Sequence, residues 1–123
     1  MEKISLPGAA RNLGAYSPAI KFGDFVMLSG QVPMGPHGSL VSGTIEEETR
    51  QTLDNMKNLL QAAGARLDQV VKCTCYLADI KDFDGFNKVY REFFGEHLPA
   101  RTTLQAGLKG FKVEVDAMAY IGK

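Results

Sequence analysis

Two stretches close to the end of the chain gather side chains able to do chemistry together. "PARTTLQAG" (99–107) sets Arg101 and Thr103 two residues apart in a β-rich run, and "VEVDAMA" (113–119) carries Asp116 in a second one. Side chains alternate along a strand, so Arg101, Thr103 and Gln105 share one face while Thr102, Leu104 and Ala106 share the other, which is expected to meet the core. If the two runs form a hairpin over residues 108–111, Gly107 pairs with Lys112 and Thr103 falls opposite Asp116, with Arg101 one step away on the same face. A planar, permanently charged guanidinium would grip a small carboxylic acid in bidentate fashion, and a neighbouring carboxylate would hold a water and take its proton. Read on their own, the same residues equally describe a modest cross-strand ion pair.

Other polar positions carry less information by themselves. Tyr16 in "GAYSP" reads as a loop aromatic, Ser29-Gly30 in "LSGQ" as a strand end with a glycine bulge, and Asn87 as a solvated helix residue. Cys73 and Cys75 in "VVKCTCYL" point to one face of a strand, which does not favour a bond between them. With only His37 and His97 elsewhere they make a poor metal site, and two buried reduced thiols are expected.

The elements that must position these groups follow from pattern. Residues 19–31 hold two short β runs separated by Gly23-Asp24, a tight-turn signal, and 33–43 is a Gly- and Pro-punctuated loop. Thr44 with Glu47 has the form of a capping box; Ile45, Thr49, Thr52, Leu53, Met56, Leu59, Leu60 and Ala63 then recur at helical spacing up to Gly64. Val70 to Leu77 is a strand, Phe83 to Phe94 a second amphipathic helix stopped by Gly95, and two strands close the chain. With a short first strand at Lys3 to Ser5, the order describes an α+β domain over residues 1–123 with helices on a largely antiparallel sheet. Two helices cover one sheet face. Yet Phe25 and Met27 oppose Val26 and Leu28, and Val70 and Tyr76 oppose Val71 and Leu77, so the second face also carries apolar groups and self-association is expected to cover it.

Composition narrows the classes. Lys plus Arg and Asp plus Glu number 14 each, so the formal net charge is zero and neither nucleic acid nor an acidic membrane is an expected partner. No apolar run is long enough to span a bilayer and "MEKISLPGAARN" lacks a secretory stretch, so a cytoplasmic setting is expected, or an organelle matrix with the targeting segment outside this chain.

Taken together, "GAYSPAI", "GDFVMLSGQVP", "LDNMKNLLQAAGARLDQVVKCTCYLADIKDF", "FNKVY", "PARTT" and "VEVDAMA" resemble, in order and over nearly the whole chain, the RidA (YjgF) family of reactive-intermediate enamine/imine deaminases. The resemblance implies a chorismate-mutase-like fold, a six-stranded sheet with two helices on one face, assembled as a homotrimer with clefts between subunits. It implies hydrolysis of 2-imino acids, formed from enamines such as 2-aminoacrylate, to 2-keto acids and ammonia, without metal or other cofactor. By the same resemblance Arg101 clamps the substrate carboxylate, Asp116 positions the attacking water, Thr103 stands beside them, and Tyr16, Ser29, Gly30 and Asn87 contact the substrate.

Two positions depart from the family pattern. Asp116 stands where many members carry Glu and reaches about 1.3 Å less far, a difference large enough to matter to catalysis. Lys109 replaces a usual proline. A non-catalytic trimeric protein or holdase that binds small 2-keto carboxylic acids in the same cleft, and a pathway-specific deaminase of the 2-aminomuconate type, are the alternatives. A ribonuclease fits least, given the neutral charge and the absence of a basic aromatic stripe.

Overall fold

Strand alternation and helical periodicity sort the side chains onto two sides of one sheet. The computed structural model describes residues 1–6 and 14–122; residues 7–13, part of the amino-terminal stretch read above, and Lys123 lie outside the described residues. In chain order the elements are β1 (Glu2–Ile4), β2 (Ala19–Phe22), β3 (Phe25–Gln31), α1 (Ile45–Ala62), β4 (Val70–Leu77), α2 (Phe83–Phe94), β5 (Ala100–Gln105) and β6 (Val113–Tyr120). Short 3-10 turns at Leu67–Gln69 and Ile80–Asp82 lead into β4 and α2. The strands make one six-stranded mixed sheet in the order β1-β2-β3-β6-β4-β5, with every neighbouring pair antiparallel except β4 and β5.

Local chemistry accounts for the element ends. The turn between β2 and β3 closes at Gly23, whose φ of 56° suits a residue without Cβ. The Thr44 hydroxyl accepts from the Glu47 amide at 3.1 Å, and the Glu47 carboxylate accepts from the Thr44 amide at 3.0 Å, closing the expected capping box. Gly64 at φ 81° and Gly95 at φ 60° lie just beyond the two helices, where the left-handed region favours glycine. Glu48 goes beyond complementing the helix dipole. Only 2% exposed, its carboxylate accepts from the Lys112 amide at 2.8 Å, the Lys112 ammonium at 3.2 Å and the Gly43 amide at 3.3 Å. It thereby fastens both the loop ahead of α1 and the entry to β6.

The core lies between the helices and one sheet face. Val26 and Leu28, Cys73, Cys75 and Leu77, and Val113, Val115, Ala117 and Ala119 point into it and meet Leu53, Met56 and Leu60 of α1 and Phe86 of α2. Both cysteines are buried and free, matching the sequence reading. The other face carries Phe22, Phe25, Met27, Leu104 and Tyr120, all partly exposed. Phe22 stacks on Phe25 with centroids 5.7 Å apart, and Phe25 meets Tyr120 at 5.2 Å. No described helix is long and apolar enough to cross a membrane.

One expectation is overturned. β5 and β6 form no hairpin; β4 lies between them, pairing in parallel with β5 and antiparallel with β6. The chain goes from β4 through α2 to β5, a helical crossover that delivers a parallel neighbour. Residues 106–112 then pass over the end of β4, tied there by Ala106 N donating to Leu77 O at 2.9 Å and Ala78 N to Lys112 O at 3.0 Å. Spanning two strand spacings, about 9.6 Å, needs only a few residues, so a short gap was compatible with either topology. The faces of β5 are also exchanged relative to expectation. Arg101 and Thr103 pair with Cys73 and Cys75 on the helix side, and Leu104 pairs with Tyr76 on the open face.

Thr44→Ala is expected to lower stability by about 1 kcal/mol, the usual cost of a lost N-cap. Glu48→Ala should cost about 2 kcal/mol, because its loss leaves the partly buried Lys112 and Gly43 amides unpaired and empties a buried position. Urea unfolding of the two variants checks the order; equal effects would show that Glu48 does not fasten the two loops.

Candidate functional site

Arg101 projects from the edge strand under α2. Its Nη1 donates to Asn87 Oδ1 at 2.8 Å, and its guanidinium carbon lies 4.7, 5.4 and 5.7 Å from the ring centroids of Tyr90, Phe83 and Phe86. Cation–π contact fixes the plane of the fork without using up its charge. Among the described residues no carboxylate pairs with Arg101, so the cross-strand ion pair with Asp116 does not form. Beside it the buried Thr103 and Tyr90 hydroxyls face the Cys75 and Cys73 thiols, weak partners that leave them without a nitrogen or oxygen partner. Burial pushes the Cys73 thiol up to about 11, and raises Cys75 and the Tyr90 phenol as well. These groups stay protonated at neutral pH, so the thiols are inert packing atoms. A cavity of about 290 Å³ opens here, lined by Asn87, Tyr90, Arg91, Leu98, Pro99 and Arg101.

Asp116 lies on the opposite sheet face. It pairs in register with Thr74, and Tyr76, two residues along β4 on the same face, donates its hydroxyl to Asp116 Oδ2 at 3.1 Å. Burial and the Asp116 charge both raise the Tyr76 phenol, so it remains a donor. Glu114 shares this face, in register with Tyr76. Its carboxyl is held above the ordinary value by partial burial first and by the Asp116 charge second. The sheet bulges between Leu28 and Gln31, and Gly30 in that bulge lies against the Glu114 carboxylate, where any Cβ would collide. Ser29 holds the preceding loop: its amide donates to Pro18 O at 2.9 Å and its hydroxyl to Ser17 O at 2.6 Å. Tyr16, next to Ser17, is 55% exposed with its ring over Gly14.

The residues marked out in the sequence therefore form two groups. Arg101, Thr103 and Asn87 gather on the helix side, while Asp116 lies on the open face with Ser29 and Gly30 nearby, the loop of Tyr16 being tied to Ser29. The predicted meeting of Arg101, Thr103 and Asp116 on one face does not occur within a protomer, because parallel pairing with β4 turns Arg101 inward. Tyr76, Glu114 and the aromatic rings around Arg101 belong to the two groups and were not singled out from the sequence. Parity along "VVKCTCYL" and "VEVDAMA" was the available signal for the first two, since each strand places its polar set on one face. Among the described residues no cluster of three or more His, Cys, Asp or Glu side chains could hold a metal ion.

The raised Glu114 carboxyl predicts a pH dependence of stability. A folded state that holds this proton more tightly than the unfolded chain loses stability as the pH rises through the window just above 4.5, the ordinary value. Glu114→Gln should flatten the fall of melting temperature in that window; an unchanged slope would contradict the assignment. Gly30→Ala should displace the carboxylate and lower the melting temperature, and combining it with Glu114→Ala should recover part of that loss.

Comparison with known proteins agrees with this architecture. A family profile described as Endoribonuclease L-PSP matches residues 8–121. The chain is 43% identical to a RutC family protein of Pyrococcus horikoshii, over 97% of each chain. It is 42% identical to human 2-iminobutanoate/2-iminopropanoate deaminase, over 97% of this chain and 89% of that one. The crystal structure of Escherichia coli TdcF with bound serine superposes with a TM-score of 0.89 at 31% identity, covering 98% of both chains. An edge-strand arginine under the second helix, an acid on the open face of a six-stranded sheet, and these matches along nearly the full length lead to one assignment: the chain belongs to the RidA (YjgF) family.

Proposed function

We propose that the protein hydrolyses 2-imino acids to 2-keto acids and ammonia in a cleft that Arg101 of one copy and Asp116 of a neighbouring copy complete, within a homotrimer. The observation that carries this reading is the unpaired guanidinium. Arg101 is oriented by the Asn87 amide oxygen and three aromatic rings, lines a cavity, and has no carboxylate partner among the described residues. A fork held so rigidly with its charge unused is preorganised for a substrate carboxylate. The partly exposed aromatic and aliphatic row on the open face supplies the surface for a second copy, and Asp116 lies on that same face. The name of the human relative and the serine held by TdcF favour a small amino- or imino-carboxylate as ligand.

In the proposed reaction Arg101 binds the C1 carboxylate in bidentate fashion and so places the imine carbon. Asp116 accepts a proton from water as the oxygen adds to that carbon and the C=N electrons move to nitrogen. Asp116 returns that proton to the nitrogen, then takes the hydroxyl proton of the tetrahedral adduct and passes it to the amine, so that the C–N bond breaks, ammonia leaves and the carbonyl forms. Tyr76, donating to Asp116, keeps one carboxylate oxygen turned toward the sheet. Orientation supplies much of the acceleration, since the substrate is itself reactive.

Ammonia or keto-acid release from 2-aminoacrylate or an imino acid generated in situ tests this. Wild type should hasten release, and Arg101→Ala should lower kcat/KM about 100-fold or more while remaining folded. Calorimetric binding of a 2-keto acid without any rate effect would select instead the binding-protein reading that serine-bound TdcF favours.

A further inference from the structure

The cavity beside Arg101 is lined by a second arginine. Arg91 lines it together with Arg101, and four-residue spacing on α2 puts Arg91 on the same helix face as Asn87, one turn further along. Since Asn87 is bonded to Arg101, the helix face that orients the first arginine also sets the position of the second. Arg91 is exposed and has no ion-pair partner among the described residues, while its neighbour Glu92 pairs with Arg50 at 2.9 Å. Leu98, 52% exposed, and Pro99 provide the apolar wall. Arg91 also sits in the last turn of α2, where a cation complements the helix dipole. Any position in that turn would serve the dipole; this one adds a charge to the cavity.

We infer that this cavity selects substrates with two carboxylates: 2-imino dicarboxylic acids, with the C1 carboxylate on Arg101 and the distal one on Arg91. The inference rests on the deaminase reading and specifies its substrate class. Within one protomer two arginines line this small space with no acidic side chain among its lining residues, so a monocarboxylate held on Arg101, with the neighbour's Asp116 at the imine carbon, leaves Arg91 without a carboxylate partner. About 290 Å³ lies at the small end of ligand sites and suits a compact dicarboxylate with an apolar linker against Leu98 and Pro99.

The test separates binding from turnover. Product-like 2-ketoglutarate and 2-ketobutanoate are titrated calorimetrically into the purified full chain and into Arg91→Gln and Arg91→Lys. The dicarboxylate should bind wild type about tenfold more tightly, Arg91→Gln should reduce that ratio about tenfold, and Arg91→Lys should keep part of it, as expected for one partly exposed charge-assisted contact. Equal or weaker binding of the dicarboxylate by wild type, or an unchanged ratio in Arg91→Gln, overturns the inference. In parallel, an amino-acid oxidase supplies the imines of glutamate and 2-aminobutyrate. If wild type hastens neither, the deaminase reading fails while the calorimetric ratio still decides the role of Arg91; if it hastens the monocarboxylic imine at least as well as the dicarboxylic one, the selectivity inference alone fails.

Discussion

The parallel pairing of β5 with β4 determines where every other functional group can act. It sets Arg101 against Cys73 and Thr103 against Cys75, on the side of the sheet covered by the helices, and so brings the guanidinium under Asn87 and the rings of α2. The same pairing leaves β6 on the far side of β4 with Asp116 turned to the open face. A guanidinium and a carboxylate placed on opposite faces of one sheet cannot meet one small molecule within a protomer. The proposed assembly resolves this by bringing the open face of one copy against the edge of another.

Burial tells a consistent story on both faces. On the helix side the thiols are held protonated and the Thr103 and Tyr90 hydroxyls lie against them beside Arg101, surroundings of low polarity that strengthen a charge–charge contact made there. On the open face Tyr76, Asp116 and Glu114 form a polar island within a row of aromatic and aliphatic side chains. That combination, an apolar surface around acids of which Asp116 is already bonded to Tyr76, is what an interface with a site at its margin requires. Glu48 supports both halves from a distance by fixing Lys112 at the entry to β6 and Gly43 ahead of α1.

The helices and turns were legible because local rules specify them. Thr44 and Glu47 announce a capping box, Gly64 and Gly95 mark the stops, and the aromatic spacing from Phe83 to Phe94 defines a buried helix face. Alternation on β6 correctly separated Val113, Val115, Ala117 and Ala119 from Glu114 and Asp116. Sheet order was not legible, since seven residues between β5 and β6 permit either a hairpin or a passage over β4, and nothing local distinguishes them. That one non-local choice reversed the face of Arg101. The resemblance named the residues without saying which faces they occupy, so the single expected cluster became two groups on opposite sheet faces.

The central claim, that the site is completed between copies, is tested most directly by mixing two inactive variants. Arg101→Ala and Asp116→Ala are refolded together, and imine hydrolysis is compared with each variant refolded alone. If one copy supplies the clamp and its neighbour the acid, random assembly restores about a quarter of the clefts, and activity should recover to about that fraction of wild type. If the mixed oligomers form and stay as inactive as the separate variants, Arg101 and Asp116 do not act across the interface, and the account is wrong.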